Sequence, residues 1–286
     1  MSFPLRALSL LALGLLSTVS LAAQTKVVFP DPSPTATLSQ RVGVTDFTLV
    51  YARPGVKGRK IFGGLVPYDE VWRTGANAAT QLTISTPVAL NGTAVAAGTY
   101  ELFTIPTVGA WTVILQKSQG QWGAYTYNQK NDVVRFPATP EKAHRPVETL
   151  AFGFTDIKPD SATLCLEWDT VRLPIKVTID VVAIVVPQIQ AAMAGTGKKP
   201  YYQAAQFYFD YNLDLKQAIA WIDEAIRLNP KSSFDLYHKA TFLARMGDKA
   251  GAIAAARQSM AIVDTTAEPE RSEYLHLNQA VIDGLK

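Results

Sequence analysis

The chain has 286 residues, 48% of them hydrophobic, and a formal net charge of +3 from 27 Lys and Arg against 24 Asp and Glu. That length allows one to three domains with a sizeable core, and the composition excludes a disordered chain. Basic and acidic residues are interspersed along both halves, which argues against a nucleic-acid partner, and Cys165, the sole cysteine, rules out an internal disulfide.

In chain order, residues 1–23 read as an export signal. Arg6 supplies the positive start, Leu8 to Leu16 the apolar core, and the small residues around Ala22 and Ala23 the cleavage region. The apolar run falls short of the roughly 20 residues of a membrane-spanning helix, so no transmembrane segment is expected in the mature chain. No cysteine stands at the cleavage point for a lipid anchor. The expected location is the periplasm or the cell exterior.

Residues 30–186 read as a β domain. From about Thr35 to Val182 the apolar pattern has period two, broken by clusters of Gly, Pro, Asn and Asp. In "DFTLVYARP", Phe47, Leu49 and Tyr51 share one face; "QLTIST" repeats the pattern with Leu82 and Ile84. Asn91-Gly92 between two short runs is a hairpin signal, because a type I′ turn needs positive φ at both central residues. "GTYELFTIP", "WTVILQK", "TLAFGFTDI", "ATLCLEW" and "VRLPIKVTIDVV" continue the series, the last two separated at Asp169-Thr170. Roughly eight short strands with tight turns predict an antiparallel sandwich or barrel.

One connection stands out. Between Arg53 and Tyr68, turn formers (Pro54-Gly55, Gly63-Gly64, Pro67) alternate with apolar Val56, Ile61, Phe62 and Leu65, so the segment is predicted to be an ordered loop packed on the sheet. It carries Arg53, Lys57, Arg59 and Lys60, with Trp72, Arg73 and Asn77 just beyond. Glycines beside cations let backbone N–H groups approach an anion. These seven residues are the candidate ligand site, for an anionic or sugar ligand. The competing structural reading pairs Arg53 and Arg73 with Asp69 and Glu70 to pin the loop.

After Pro187 the period becomes helical. Residues 187–200 read as a linker or bracing helix, and residues 201–286 as an all-α module with an internal repeat of 34 residues: Asp214 with Asp248, Ala218-Ile219 with Ala252-Ile253, Ala225 with Ser259. This resembles the tetratricopeptide repeat in two copies. Tyr202, Phe209, Ala218, Ile222, Ala225 and Pro230 fit the first; Leu236, Ala240, Leu243, Gly247, Ala252 and Ala256 fit the second. Gln206 and Lys239 depart from the family's Gly and Leu. A last segment with Tyr274, Leu277, Val281 and Leu285 on one face is expected to cap the second copy. The resemblance implies a concave groove for a protein partner, lined by Gln203, Phe207, Asp210, Tyr237, Thr241 and Arg245.

The stretch "YARPGVKGRKIFGGLVPYDEVWRTGANAAT" (Tyr51 to Thr80), with "AAGTYELFTIP", "WTVILQK" and "WGAYTYNQKNDVVR", resembles the domain-of-unknown-function family 2911 over most of residues 30–182. The resemblance implies an exported bacterial β domain, often followed by helical repeats, and no established activity.

Catalytic signals are sparse. Of three histidines, His238 and His276 lie in the helical half and His144 in "EKAHRPVE", read as a loop; no G-x-S-x-G elbow occurs. Neither zinc nor calcium spacing is present, so no metal or cofactor is expected. Trp122, Tyr125 and Tyr127 sit in a polar stretch where exposed rings would suit sugars or partner surfaces, although core packing is the commoner fate of such residues. A binding module with a helical interaction domain is the favoured function, with no catalytic residue assigned. A hydrolase acting on an envelope or extracellular carbohydrate or ester, through Arg73, Asn77 and His144, is the alternative.

Overall fold

The computed structural model describes residues 28–117, 120–263 and 269–285. The export segment read at residues 1–23 lies outside the described residues. Ten strands form two antiparallel sheets, and six helices follow.

The six-stranded sheet has the order β1 (Thr35–Val42), β2 (Thr45–Ala52), β3 (Thr80–Ile84), β6 (Gly98–Ile105), β7 (Trp111–Lys117), β8 (Asp132–Ala138). The four-stranded sheet runs β5 (Thr93–Val95), β4 (Val88–Leu90), β10 (Ser161–Thr178), β9 (Glu141–Thr155). Their inner faces enclose one apolar core. Phe47, Leu49, Leu82, Leu102, Val113 and Leu115 come from the first sheet and Leu150, Phe152, Leu164, Leu166, Ile175 and Val177 from the second. The alternation read in "DFTLVYA" is the burial pattern of β2, whose Tyr51 hydroxyl accepts a hydrogen bond from the Phe152 N–H of the facing sheet at 3.1 Å. The hairpin β4–β5 turns at Asn91 (φ 46°) and Gly92 (φ 81°), as the Asn-Gly pair requires.

Three elements differ from the sequence reading. The segments on either side of Asp169-Thr170 are one strand, β10, kinked by register shifts on both sides of Asp169, whose φ is 55°. A β-bulge thus has the same local signature as a turn. "EKAHRPVE" is strand rather than loop. Pro146 is tolerated because β9 is a sheet edge and needs no donor on its free side, and it leaves His144 exposed. The first helix, α1 (Val181–Ala194), begins at an Asp180 N-cap that accepts from Ala183 N at 2.9 Å, ahead of Pro187, which lies inside it.

The remaining helices are α2 (Tyr201–Asp210), α3 (Leu215–Leu228), α4 (Ser233–Met246), α5 (Lys249–Val263) and α6 (Glu270–Asp283). Consecutive helices from α2 to α6 pack on one another. Helix α1 joins the two parts: Val181, Ile184 and Val185 pack on the β core, while Val185 and Ile189 also belong to the cluster of α2 and α3. Phe207 and Tyr211 reach the β core from the α2 side. The inner face of α6 centres on Asn278 and Ile282, flanked by Tyr274, Val281 and Leu285. Asn278, fully buried, donates to Ser259 Oγ at 2.9 Å and to the Tyr274 carbonyl at 2.7 Å, so this face holds a polar residue that an apolar-periodicity reading skips. Among the described residues no helix is long and apolar enough to cross a membrane.

Candidate functional site

Residues 53–79 link β2 to β3 and fasten to both sheets. On the four-stranded side, Val56 N donates to the Glu148 carbonyl (2.7 Å), Lys57 N to Glu148 Oε1 (2.9 Å) and Leu150 N to the Pro54 carbonyl (3.0 Å). On the six-stranded side, Asp69 N donates to the Pro106 carbonyl (2.8 Å), and Trp72 and Thr104 exchange backbone hydrogen bonds (2.8 and 2.9 Å). The apolar residues of the loop supply the weld. Phe62 lies against Trp72, Trp111 and Trp168 with ring centroids 4.8–6.1 Å apart, and Trp72 stacks on Trp168 at 5.9 Å and 20°. The loop is therefore held between strands of both sheets.

Its backbone is strained where it turns. Lys57, Asp69, Thr74 and Asn77 all have φ between 49° and 64°. For the β-branched, fully buried Thr74 this is a real penalty, which the surroundings over-determine. The Trp72 indole donates to the Gly75 carbonyl (3.0 Å), Thr80 Oγ1 to the Thr74 carbonyl (2.8 Å), and Thr74 Oγ1 meets Thr104 Oγ1 at 3.1 Å.

This folding leaves a cavity of about 590 Å³. Arg59, Trp72, Arg73 and Asn77 of the candidate set line it, with Glu70, Tyr125 and Trp168. Lys57 and Lys60 are exposed and Arg53 half-buried; none of the three lines the cavity. Arg53 Nε donates to the Leu150 carbonyl at 2.9 Å, and Arg59 donates to the Val56 and Gly55 carbonyls at 3.0 and 2.6 Å. The ion pairs that would have joined Arg53 and Arg73 to Asp69 and Glu70 do not form among the described residues. The loop is instead pinned by backbone hydrogen bonds and aromatic packing. Arg73 is left without any side-chain hydrogen bond: its buried Nε finds no acceptor among the described residues, and neither does the indole N–H of Trp168, a residue 1% exposed. A buried donor without an acceptor costs about 1–3 kcal/mol. Both residues line the one cavity, whereas the other unpartnered buried polar atoms among the described residues, Gln206 Oε1 and Asn278 Oδ1, lie on the helices.

Beneath the neighbouring surface lies a buried network of another kind. Glu101, 1% exposed, accepts from Gln121 N (2.8 Å) and Gln121 Nε2 (2.5 Å); Gln121 Nε2 also reaches Gln116 Oε1 (3.1 Å), and Gln116 donates to Asp132 Oδ1 (2.7 Å). Tyr127 and Arg135 complete it at Asp132. Burial pushes the Tyr127 phenol up, and the adjacent Asp132 carboxylate adds to this. Sequence reasoning missed this network, because Glu101 and Gln116 sit in strands whose alternation reads as ordinary. The Cys165 thiol, also raised by burial, is bonded in the sheet to Arg172 at 2.7 Å. Among the described residues no cluster of His, Cys, Asp and Glu is arranged to hold a metal.

On the helices, the groove candidates are scattered in role. Phe207 stacks on Tyr211 (4.5 Å) against the β core, Asp210 accepts from Gln206 (2.7 Å), and Thr241 Oγ1 donates to the His238 carbonyl (2.7 Å). Arg245 lies 3.3 Å over the Phe209 ring and donates to the Phe209 carbonyl. Tyr237 joins Phe234, His238 and Tyr274 in an aromatic cluster, and Gln203 is exposed.

A two-sheet β domain whose long, doubly anchored loop builds a basic and aromatic cavity, followed by a helical region, is the class of protein that this geometry defines. Residues 33–177, about half of the chain, match the family described as "Protein of unknown function (DUF2911)", and the chain belongs to that family. No curated protein and no solved structure matches the chain.

Proposed function

We propose that this chain is an exported binding protein whose β domain takes a small ligand bearing an acid group in the cavity of the 53–79 loop. One observation carries the reading: the buried Arg73 Nε and Trp168 Nε1 donors have no acceptor among the described residues, and both residues line that cavity. An oxyanion would satisfy them, and the Arg59 side chain on the same wall adds charge. The volume falls within the roughly 300–1,000 Å³ of small-molecule sites. Export is supported by the residue pattern of positions 1–23. Tetratricopeptide-like pairing of the helices, with a protein partner, is supported by equal burial at the repeat offset: Ala218 and Ala252 are both fully buried, as are Ile222 and Ala256.

Thermal unfolding of the mature protein against a panel of phosphates, carboxylates and sugar acids tests this. A ligand at 100 times its Kd stabilises by about 2.7 kcal/mol. The account expects a shift for an acid-bearing compound that Arg73→Met abolishes and Arg59→Ala reduces. A shift that survives both substitutions contradicts it.

Glu70 on the same wall favours a second reading, hydrolysis of a bound ester or glycoside with Glu70 as the base. His144 lies outside this cavity. Turnover of such substrates that is lost in Glu70→Gln while binding persists would select the enzyme.

A further inference from the structure

A second cavity, of about 400 Å³, adjoins the first across Ala76 and Asn77, which line both. Its chemistry is opposite. Asp31 and Glu101 are its charged lining, Gln81 and Gln121 are among its neutral polar residues, and no Lys or Arg is among its described lining residues. The ridge between the cavities is rigid: Gly123 N donates to the Asn77 carbonyl (2.9 Å), Ala79 N to the Gln121 carbonyl (2.9 Å), and Ala78 bridges Trp122. That pinning leaves one large ring on each side. Trp122, 65% exposed, lines the second cavity, and Tyr125, 85% exposed, lines the first. Neither ring is covered by the core, so both are available as flat platforms.

The pairing selects a ligand chemistry. A pyranose ring has an apolar face for stacking and hydroxyls at its edge, which the Asp31 carboxylate and the Gln81 amide suit. A second anionic group would be repelled by Asp31 and the underlying Glu101, and a purely apolar extension would desolvate Asp31 and Gln81 without replacement. Resting on the acid-ligand reading of the first cavity, we propose that the two cavities are adjacent subsites for an acidic oligosaccharide. One sugar places its carboxylate at Arg59 and Arg73 with its ring by Tyr125. Its neighbour, a neutral sugar, crosses the Asn77 ridge and stacks on Trp122, with its hydroxyls directed to Asp31 and Gln81.

Calorimetric titration of the mature protein with galacturonate, glucuronate and mannuronate as monomers and as disaccharides linked to one neutral hexose, and with neutral trisaccharides, tests the proposal. The expected result is that the disaccharide of at least one uronate with a neutral sugar binds about tenfold or more tighter than the uronate monomer, and that Trp122→Ala removes this gain while leaving the monomer's affinity unchanged. Arg73→Met should weaken both. Equal affinity of the monomer and the mixed disaccharide, or a gain that Trp122→Ala leaves intact, overturns the second subsite while the acid reading of the first stands. A neutral trisaccharide held through Trp122 and indifferent to Arg73→Met sustains the sugar subsite and overturns the acid reading. Absence of binding by every sugar overturns the proposal, and the phosphate and carboxylate panel then decides the first cavity on its own.

Discussion

Two parts of this molecule gather aromatic and basic side chains, and they use them differently. On the helices, Arg245 covers Phe209 and bonds its carbonyl, Asp210 holds Gln206, and Tyr202 Oη meets His238 Nε2 at 3.3 Å. At the cavity of the 53–79 loop, which Arg73 lines with the Trp72–Trp168 stack, the buried Arg73 Nε has no acceptor among the described residues, and neither has the indole N–H of Trp168 in β10. The difference teaches where to look. Clustered charge and aromaticity occur in both, but among the described residues the buried donors left without an acceptor, Arg73 Nε and Trp168 Nε1, both belong to residues lining the loop cavity, while the helices leave two buried acceptors, Gln206 Oε1 and Asn278 Oδ1.

The comparison can be broken at several points. Glu101→Leu should be the most damaging change, about 2–4 kcal/mol, because it strands the Gln121 N–H and amide in a buried position; denaturant unfolding showing no loss would mean that this network is loosely made. Gly63→Ala comes next at about 1–3 kcal/mol, since Gly63 has φ 72° and a Cβ there would lie 2.5 Å from the Tyr68 ring. It should also lower ligand affinity by disturbing the cavity wall at Leu65 and Val66. Arg245→Ala should cost about 0.5–1.5 kcal/mol through the lost ring contact and hydrogen bond.

His238 sharpens the contrast through pH. Burial lowers its pKa, against a weaker opposite pull from Asp235 and Asp210. The unfolded chain takes up the proton first, so helical stability should be full above the ordinary histidine value of about 6.5 and decline as pH falls from there through the lower folded value. His238→Phe should flatten that decline in the helix signal of circular dichroism; an unchanged slope would place its origin elsewhere. Arg73→Met should have the smallest effect on stability, within about 0.5 kcal/mol of the parent or slightly stabilising, because it removes a buried donor that finds no acceptor among the described residues. A loss as large as that of Arg245→Ala would mean that Arg73 is structural and would erase the contrast.

Much of this was legible in the chain. The period-two pattern, the Asn91-Gly92 turn and the ordered 53–68 loop each have a local cause, so the two-sheet domain and the cluster of Arg59, Trp72, Arg73 and Asn77 could be read directly. What could not be read depends on distant pairing. Trp168 belongs to the cavity although it lies in an ordinary alternating strand, brought to Trp72 only by the packing of the two sheets. Asp169 has the left-handed backbone of a turn but marks a bulge within β10, and Pro146 resembles a strand breaker but occupies an edge. Asn278 at the centre of the α6 seam defeats an apolar count because its partner, Ser259, is on another helix.

The central claim is that the Arg73 and Trp168 donors exist for an outside acid group. Crystals of the protein soaked with a uronate test it most directly. The account predicts density in the loop cavity with a carboxylate within hydrogen-bonding distance of Arg73. A cavity holding only water, with the uronate absent or bound elsewhere on the molecule, would contradict it.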